Sequence, residues 1–237
     1  MNRRRAAIVP LAAVVVDALE RSKALRGGIA ARRFVGGTPP EFAVGALAGR
    51  ALPVVSALRS AGIQDLYTHQ AEALDAFDAG LHVLTVTPTA SGKSLSYIIP
   101  TIESLAADPG ARALYLFPYK ALEQDQLGAL QRFLKGSGLP GPPVAAIYDG
   151  DTPEKERAKL RACPPSVLIS NPDMLHLGLI PYHGAWKEFF SNLKLVIIDE
   201  LHVYRGIFGS HMHHVMRRLA RICRLYHSRP QFIASST

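Results

Sequence analysis

His82-Val83-Leu84-Thr85-Val86, followed by Thr87-Pro88-Thr89-Ala90-Ser91-Gly92-Lys93-Ser94, is the stretch whose reading decides the fold. Its first five residues form an apolar, partly β-branched run that reads as a buried strand, and the next eight are largely turn formers. Leu95-Ser96-Tyr97-Ile98-Ile99 then restarts at helical spacing. Strand, tight turn and helix start together make the context that a polyphosphate-binding loop requires. Backbone N–H groups and the positive end of the helix converge on one anion. In that reading Lys93 reaches the β and γ phosphates, the Ser94 hydroxyl completes a Mg²⁺ shell, and Gly92 lets the backbone approach where a Cβ would intrude. The loop departs from the strict G-x-x-x-x-G-K-[ST] pattern, because Thr87 stands where the first glycine would be. The competing reading is a Ser/Thr-capped helix start with an exposed lysine.

Outward from this stretch, apolar runs alternate with helical patterns. Residues 113–117, 144–148, 166–170, 195–199 and 231–235 read as strands, and 121–135, 153–163 and 211–226 as helices, with short helices within 173–192. Upstream, helices are expected at 54–60 and 71–77. Near-continuous apolar strands separated by helices predict an α/β fold, a mostly parallel sheet with helices on both faces. Right-handed crossovers then gather the loops that follow the strands along one edge, where ligands bind.

The 237 residues carry a net charge of +8, unevenly placed. Residues 1–50 hold nine Lys/Arg against three Asp/Glu, while residues 51–237 hold eighteen against sixteen. The division expected is an N-terminal basic helical arm and linker over 1–53 and the α/β domain over 54–237. Arg3-Arg4-Arg5 before an apolar run to Val16 resembles a secretory signal, but Pro10 interrupts the run and no small-residue cleavage site follows. The run is too short to span a bilayer, so no membrane association is expected. Cys163 and Cys223 are far apart and fit reduced, buried thiols in a cytoplasmic protein. His211, His213 and His214 lack a carboxylate at a suitable offset and are not read as a metal site.

The second strong signal is Asp199-Glu200-Leu201-His202, directly after the apolar run 195–198. A strand-terminal aspartate on the same edge as the phosphate loop is placed to hold a nucleotide's Mg²⁺. The adjacent glutamate can orient and deprotonate an attacking water. A solvated acidic turn capping the sheet is the plainer alternative.

Together these two blocks resemble motifs I and II of the superfamily 2 helicases of the DExH type. Leu66-Tyr67-Thr68-His69-Gln70 resembles the Q motif, Phe117-Pro118-Tyr119-Lys120-Ala121-Leu122 motif Ia, Ser170-Asn171-Pro172-Asp173-Met174-Leu175 motif Ib, and Ala234-Ser235-Ser236-Thr237 motif III. Tyr148-Asp149-Gly150-Asp151-Thr152 and the longer run from Asp199 to His211 are similar to the MrfA/YprA-type DNA-repair helicases. The resemblance covers about residues 61–237 and implies a RecA-like P-loop domain. Tyr119 stands where that family's motif Ia has threonine, and Ser236 where motif III usually has alanine.

The resemblance implies ATP-driven 3′→5′ translocation on single-stranded or forked DNA, with duplex unwinding in DNA repair. Thr89, Ala90, Ser91, Gly92, Lys93, Ser94 and Asp199 would hold ATP and Mg²⁺, with Gln70 on the adenine edge and Glu200 as the base. His202, Ser235 and Thr237 would couple the γ-phosphate to strand grip, and Lys120, Gln126, Asn171 and Asp173 would touch the strand; local turn capping is the plainer role for these last four. A second RecA-like domain of the same full-length chain, carrying arginine fingers, is expected beyond Thr237. Without it, slow hydrolysis is expected. An RNA-dependent ATPase and a non-catalytic nucleic-acid-binding module are the rivals. The helix over 211–226 sets Arg217, Arg218, Arg221 and Arg224 apart from its apolar side, and a solvated face is preferred there to a nucleic-acid patch.

Overall fold

The computed structural model describes residues 41–141 and 144–237. Its elements run β1 (Phe42–Ala43), α1 (Leu52–Ser60), β2 (Leu66–Tyr67), α2 (Thr68–Asp78), β3 (Val83–Val86), α3 (Leu95–Ala107), β4 (Arg112–Leu116), α4 (Lys120–Gly136), β5 (Ala145–Ile147) and α5 (Glu154–Ala162). They continue with β6 (Val167–Ser170), α6 (Lys187–Ser191), β7 (Leu193–Ile198), α7 (Gly206–Leu225) and β8 (Gln231–Ser236). Between β6 and α6 lie one helical turn, Pro172–Met174, and a π-helical turn, Leu175–Leu179. Strands β3 to β8 form one parallel sheet in the order β3-β8-β7-β4-β6-β5.

Alternation along the strands divides the core between the two faces of this sheet. Ala113, Tyr115, Val167, Ile169, Leu195 and Ile197 face a core completed by α1 to α4. Leu114, Leu116, Leu168, Val196 and Ile198 face the other, closed by Trp186, Phe189, Phe190 and the inner side of α7. Helices on both faces of a parallel sheet are the layered α/β architecture that the sequence predicts.

Two stretches depart from the sequence reading. Residues 41–53, assigned there to a linker, belong to the compact unit Glu41–Thr237. Phe42 pairs with Tyr67 and Ala43 with Leu66 in a two-stranded antiparallel ribbon, and the Thr68 N–H donates to the Glu41 carbonyl at 2.9 Å. Arg50 reaches Asp78 at 2.8 Å and Glu103 at 3.3 Å, tying this segment to α2 and α3. Two-residue strands and long-range ion pairs leave no periodic trace in sequence, which is why the stretch read as a connection. The basic arm itself falls on residues 1–40, outside the described residues.

The second departure is the start of α7, at Gly206 rather than near His211. Gly206 and Gly209 argue against helix by propensity. A Cβ on Gly209, however, would lie 2.6 Å from the Tyr204 carbonyl oxygen, so close packing requires glycine inside this first turn.

Arg50 is mostly buried, and losing it leaves Glu103 half-buried without its cation. Arg50→Ala is expected to cost about 1–3 kcal/mol of stability, read as a lower urea midpoint. Adding Glu103→Gln should recover part of the loss, because burial already pushes the Glu103 carboxyl up.

Candidate functional site

The parallel register sets the strand ends in one row. Val86 pairs with Ser236, Ala234 with Ile198, and Leu116 with both Ile198 and Ser170. The turns that leave these ends carry the Thr87–Ser94 loop, Lys120, Asn171 and the Asp199–Glu200 pair. Because β8 is the one strand between β3 and β7, the loop and the acidic pair leave the sheet two strand spacings apart, about 10 Å.

On the loop side, Ala90 and Gly92 both take left-handed backbone, with φ of 60° and 77°. A Cβ on Gly92 would sit 2.8 Å from the Gln70 amide nitrogen. Gln70 is buried; its Nε2 donates to the Gly92 carbonyl at 2.8 Å, and its Oε1 accepts from the Tyr67 N–H at 2.9 Å. It therefore straps the start of α2 to the loop. Thr87 and Ser91 hydroxyls close the loop base at 2.6 Å. Lys93 Nζ donates to the Thr87 and Pro88 carbonyls at 2.8 and 3.0 Å. Its cation thus sits over its own loop, held by neutral acceptors that an anion outbids. Ser94 stands at the N-terminus of α3 without a side-chain capping bond.

On the acidic side, the buried Asp199 donates its N–H to the Leu116 carbonyl at 3.1 Å, and its Oδ1 accepts a hydrogen bond from Ser235 Oγ. Glu200 adopts left-handed backbone, φ 51° and ψ 47°, an arrangement that costs a non-glycine residue energy and recurs at functional turns. His202 Nδ1 lies 3.3 Å from Glu200 Oε2 and 3.1 Å from Thr237 Oγ1. Of the residues expected to couple the site, Ser235 bonds Asp199, His202 lies beside Glu200, and Thr237 touches His202.

Two tyrosines at this site escaped the sequence reading. Tyr97, buried on the first turn of α3, donates its hydroxyl to Gln126 Oε1 at 3.3 Å. Burial foremost, and then the charge of Asp199, push that hydroxyl well above its ordinary pKa, so it stays neutral. The buried Tyr204 hydroxyl has no hydrogen-bond partner among the described residues, and burial followed by Asp199 raises its pKa too. In sequence both look like core residues.

No group of three or more His, Cys, Asp or Glu side chains is gathered for a metal among the described residues. The Ser94 hydroxyl and the Asp199 carboxylate are instead the sparse, hard-oxygen set suited to Mg²⁺ delivered with a polyphosphate. No helix among the described residues is long and apolar enough to cross a membrane.

The four residues expected to meet nucleic acid divide in two. Lys120 is exposed, paired with Asp151 at 2.5 Å, and Asp173 is exposed, 3.9 Å from His211 Nε2. Gln126 and Asn171 are engaged within the protein. Gln126 accepts from Tyr97, while Asn171 caps the turn at Met174 (2.9 Å) and donates from Nδ2 to Glu123 Oε1 at 3.0 Å.

Glu123 is buried, and its Oε2 has no partner among the described residues. Burial raises its pKa, outweighing the Asn171 bond, which acts the other way. A folded-state pKa above the unfolded value means that the native state binds the extra proton, so stability falls as pH rises from the unfolded value through the folded one. Glu123→Gln keeps the acceptor for Asn171 and removes the charge. It is expected to raise the melting temperature at pH 8, with the gain vanishing below pH 4.

The family model for DEAD/DEAH box helicases matches residues 67–237. Among curated proteins, the uncharacterized ATP-dependent helicase YprA of Bacillus subtilis is 49% identical over 183 residues, 77% of this chain and 24% of that protein. The ATP-dependent helicase HRQ1 of Saccharomyces cerevisiae is 43% identical over 73% of this chain and 16% of its own length. The crystal structure of the DUF1998 helicase MrfA bound to DNA and AMPPNP superposes with a TM-score of 0.78 at 44% identity, covering 84% of this chain and 28% of that one. The chain therefore spans about a quarter or less of the length of these relatives. With a phosphate loop and a strand-terminal Asp-Glu pair on one sheet edge, and a family match across most of its length, this chain belongs to the DEAD/DEAH box helicases.

Proposed function

We propose that this chain is the first RecA-like motor domain of an ATP-dependent DNA helicase acting in DNA repair. The observation that carries the reading is the single sheet edge on which the Thr89–Ser94 loop and the Asp199–Glu200 pair are held by β8, through the bond from Ser235 to Asp199. In this reading Lys93 exchanges the Thr87 and Pro88 carbonyls for the β and γ phosphates. Ser94 and Asp199 would hold the nucleotide's Mg²⁺, which would neutralise charge on the phosphate oxygens. Glu200, aimed by its left-handed turn, accepts the proton of the attacking water. His202 lies within reach of that carboxylate and would pass its charge state to Thr237, which touches the His202 ring. The strap from Gln70 fixes the loop's shape, and the amide's second N–H remains for the adenine edge.

The DNA assignment rests on the relatives, since MrfA was crystallised with DNA and AMPPNP. Exposed Lys120 and Asp173 are the best-placed strand contacts, with Gln126 and Asn171 shaping the surface beneath them. A second RecA-like domain of the longer polypeptide would supply the arginine that phosphoryl transfer asks for. Cys223 is buried as expected but Cys163 is exposed, and a compartment that supplies ATP and keeps both as free thiols, the cytoplasm, suits both demands.

The expected outcomes separate the roles. Lys93→Ala weakens ATP binding by about tenfold or more in a titration. Glu200→Gln keeps binding and lowers DNA-stimulated turnover in the two-domain protein by about 10²–10⁴-fold. Gln70→Ala weakens ATP more than GTP. Stimulation by poly(U) and not by single-stranded DNA would redirect the reading to an RNA-dependent ATPase, and no measurable nucleotide affinity would sink it.

A further inference from the structure

From Leu201 to Thr237 the sequence contains no Asp or Glu and six arginines. Residues 51–200 carry sixteen Asp/Glu against twelve Lys/Arg, so the domain's positive charge is concentrated in its last segment. Four of the six arginines lie on α7, whose inner side, Met212, Val215, Leu219 and Cys223, is buried against the sheet. Arg218 is turned in toward His176, 2.6 Å away. The others face out.

His214, Arg217, Arg221 and Arg224 recur at steps of three, four and three residues, which places them on one stripe about 15 Å long. All four are exposed, and they line a shallow groove of about 360 Å³. Among the described residues none of them is within ion-pair distance of a carboxylate. A solvated helix face ordinarily mixes signs so that neighbours one turn apart attract. Here they repel, and a bound polyanion would relieve the repulsion. Arginine forks also match phosphate oxygens better than lysine points do.

The stripe lies away from the nucleotide edge. Helix α7 leaves that edge at Gly206 and runs back toward the start of β8, which puts Arg217 to Arg224 about 16–27 Å along its axis. Duplex DNA presents one charge per about 1.7 Å of axis, twice the density along a single strand, so a rigid 15 Å row finds more phosphates on a duplex.

We propose that this arginine stripe is a second nucleic-acid surface, which grips the phosphate backbone of duplex DNA apart from the single-strand contacts at the sheet edge. The proposal rests on the reading of the chain as a DNA motor domain. A motor that parts strands meets duplex on one side of its track, and a phosphate-only grip holds it without reading sequence.

The test is the triple variant R217Q/R221Q/R224Q, compared with wild type by fluorescence anisotropy on a labelled duplex and on a labelled single strand across a salt series. The variant is expected to bind duplex roughly tenfold more weakly, with a log-affinity against log-salt slope shallower by about 2.7, and to bind the single strand within about twofold of wild type. The triple lysine variant should recover most of the duplex affinity. Unchanged duplex affinity and slope in the glutamine variant overturn the proposal. Polyglutamate bound through these arginines more tightly than duplex overturns it in favour of an acidic protein segment. A wild-type chain that binds single strand but not duplex removes the stripe and leaves the motor reading, whereas one that binds neither removes both.

Discussion

The contact on which the rest of the site depends is made by the last strand. Strand β8 enters the sheet between β3 and β7, and its Ser235 hydroxyl bonds the carboxylate that closes β7. Without that insertion the phosphate loop and the acidic pair would end two strands that never meet. Residues about 150 apart in the chain must pair, Val83 with Ile233 and Val86 with Ser236, before the site exists. Such pairing carries a high loop-closure cost and depends on the local units β3–α3 and β7–α7 being already shaped. Site assembly and completion of the fold are thus one event.

Backbone strain concentrates on the same edge. Besides His227, the described non-glycine residues with positive φ are Ala90, in the phosphate loop, and Glu200, beside the aspartate. Each must be held by its surroundings, and each is: the loop by the strap from Gln70 and the hydroxyl pair Thr87–Ser91, the acidic turn by Asp199's bonds to Leu116 and Ser235. A rigid parallel sheet buried on both faces can hold strained turns at its rim because its own strands have no freedom to relax.

What could be read from sequence follows from how each feature is encoded. The six sheet strands carry apolar runs and were located to within about two residues, because burial on both faces writes itself into composition. Lys93, Ser94, Asp199 and Glu200 could be placed at strand ends from the sequence, since a turn between strand and helix and a strand that ends in acid are both local patterns, and the structure sets both turns on one sheet edge. The docking of residues 41–53 was not, because it rests on Arg50's ion pairs and a two-residue ribbon. The start of α7 was hidden by Gly209, a glycine that serves packing rather than a turn. Tyr97 and Tyr204 look like filler in an apolar row; only the fold shows that their hydroxyls lie beside the acidic site. Gln126 and Asn171 illustrate the converse, since polar residues that look free to meet a ligand are engaged within the protein.

Those buried hydroxyls and amides suggest how the two ends of the site communicate. Tyr97 lies on the helix that follows the Thr87–Ser94 loop, and its hydroxyl, kept neutral by burial and by Asp199, donates to Gln126 on α4. One turn earlier on α4, Glu123 holds Asn171 at the end of β6. The chain of contacts therefore runs from the loop helix to α4 to the turn after β6 through part-buried hydrogen bonds. A neutral phenol can only keep its bond if α3 and α4 stay in register, and a half-satisfied carboxyl such as Glu123 makes the next link sensitive to any shift of charge nearby. Any shift of α3 against α4 would break the part-buried bond from Tyr97 to Gln126 and leave both groups to find other partners.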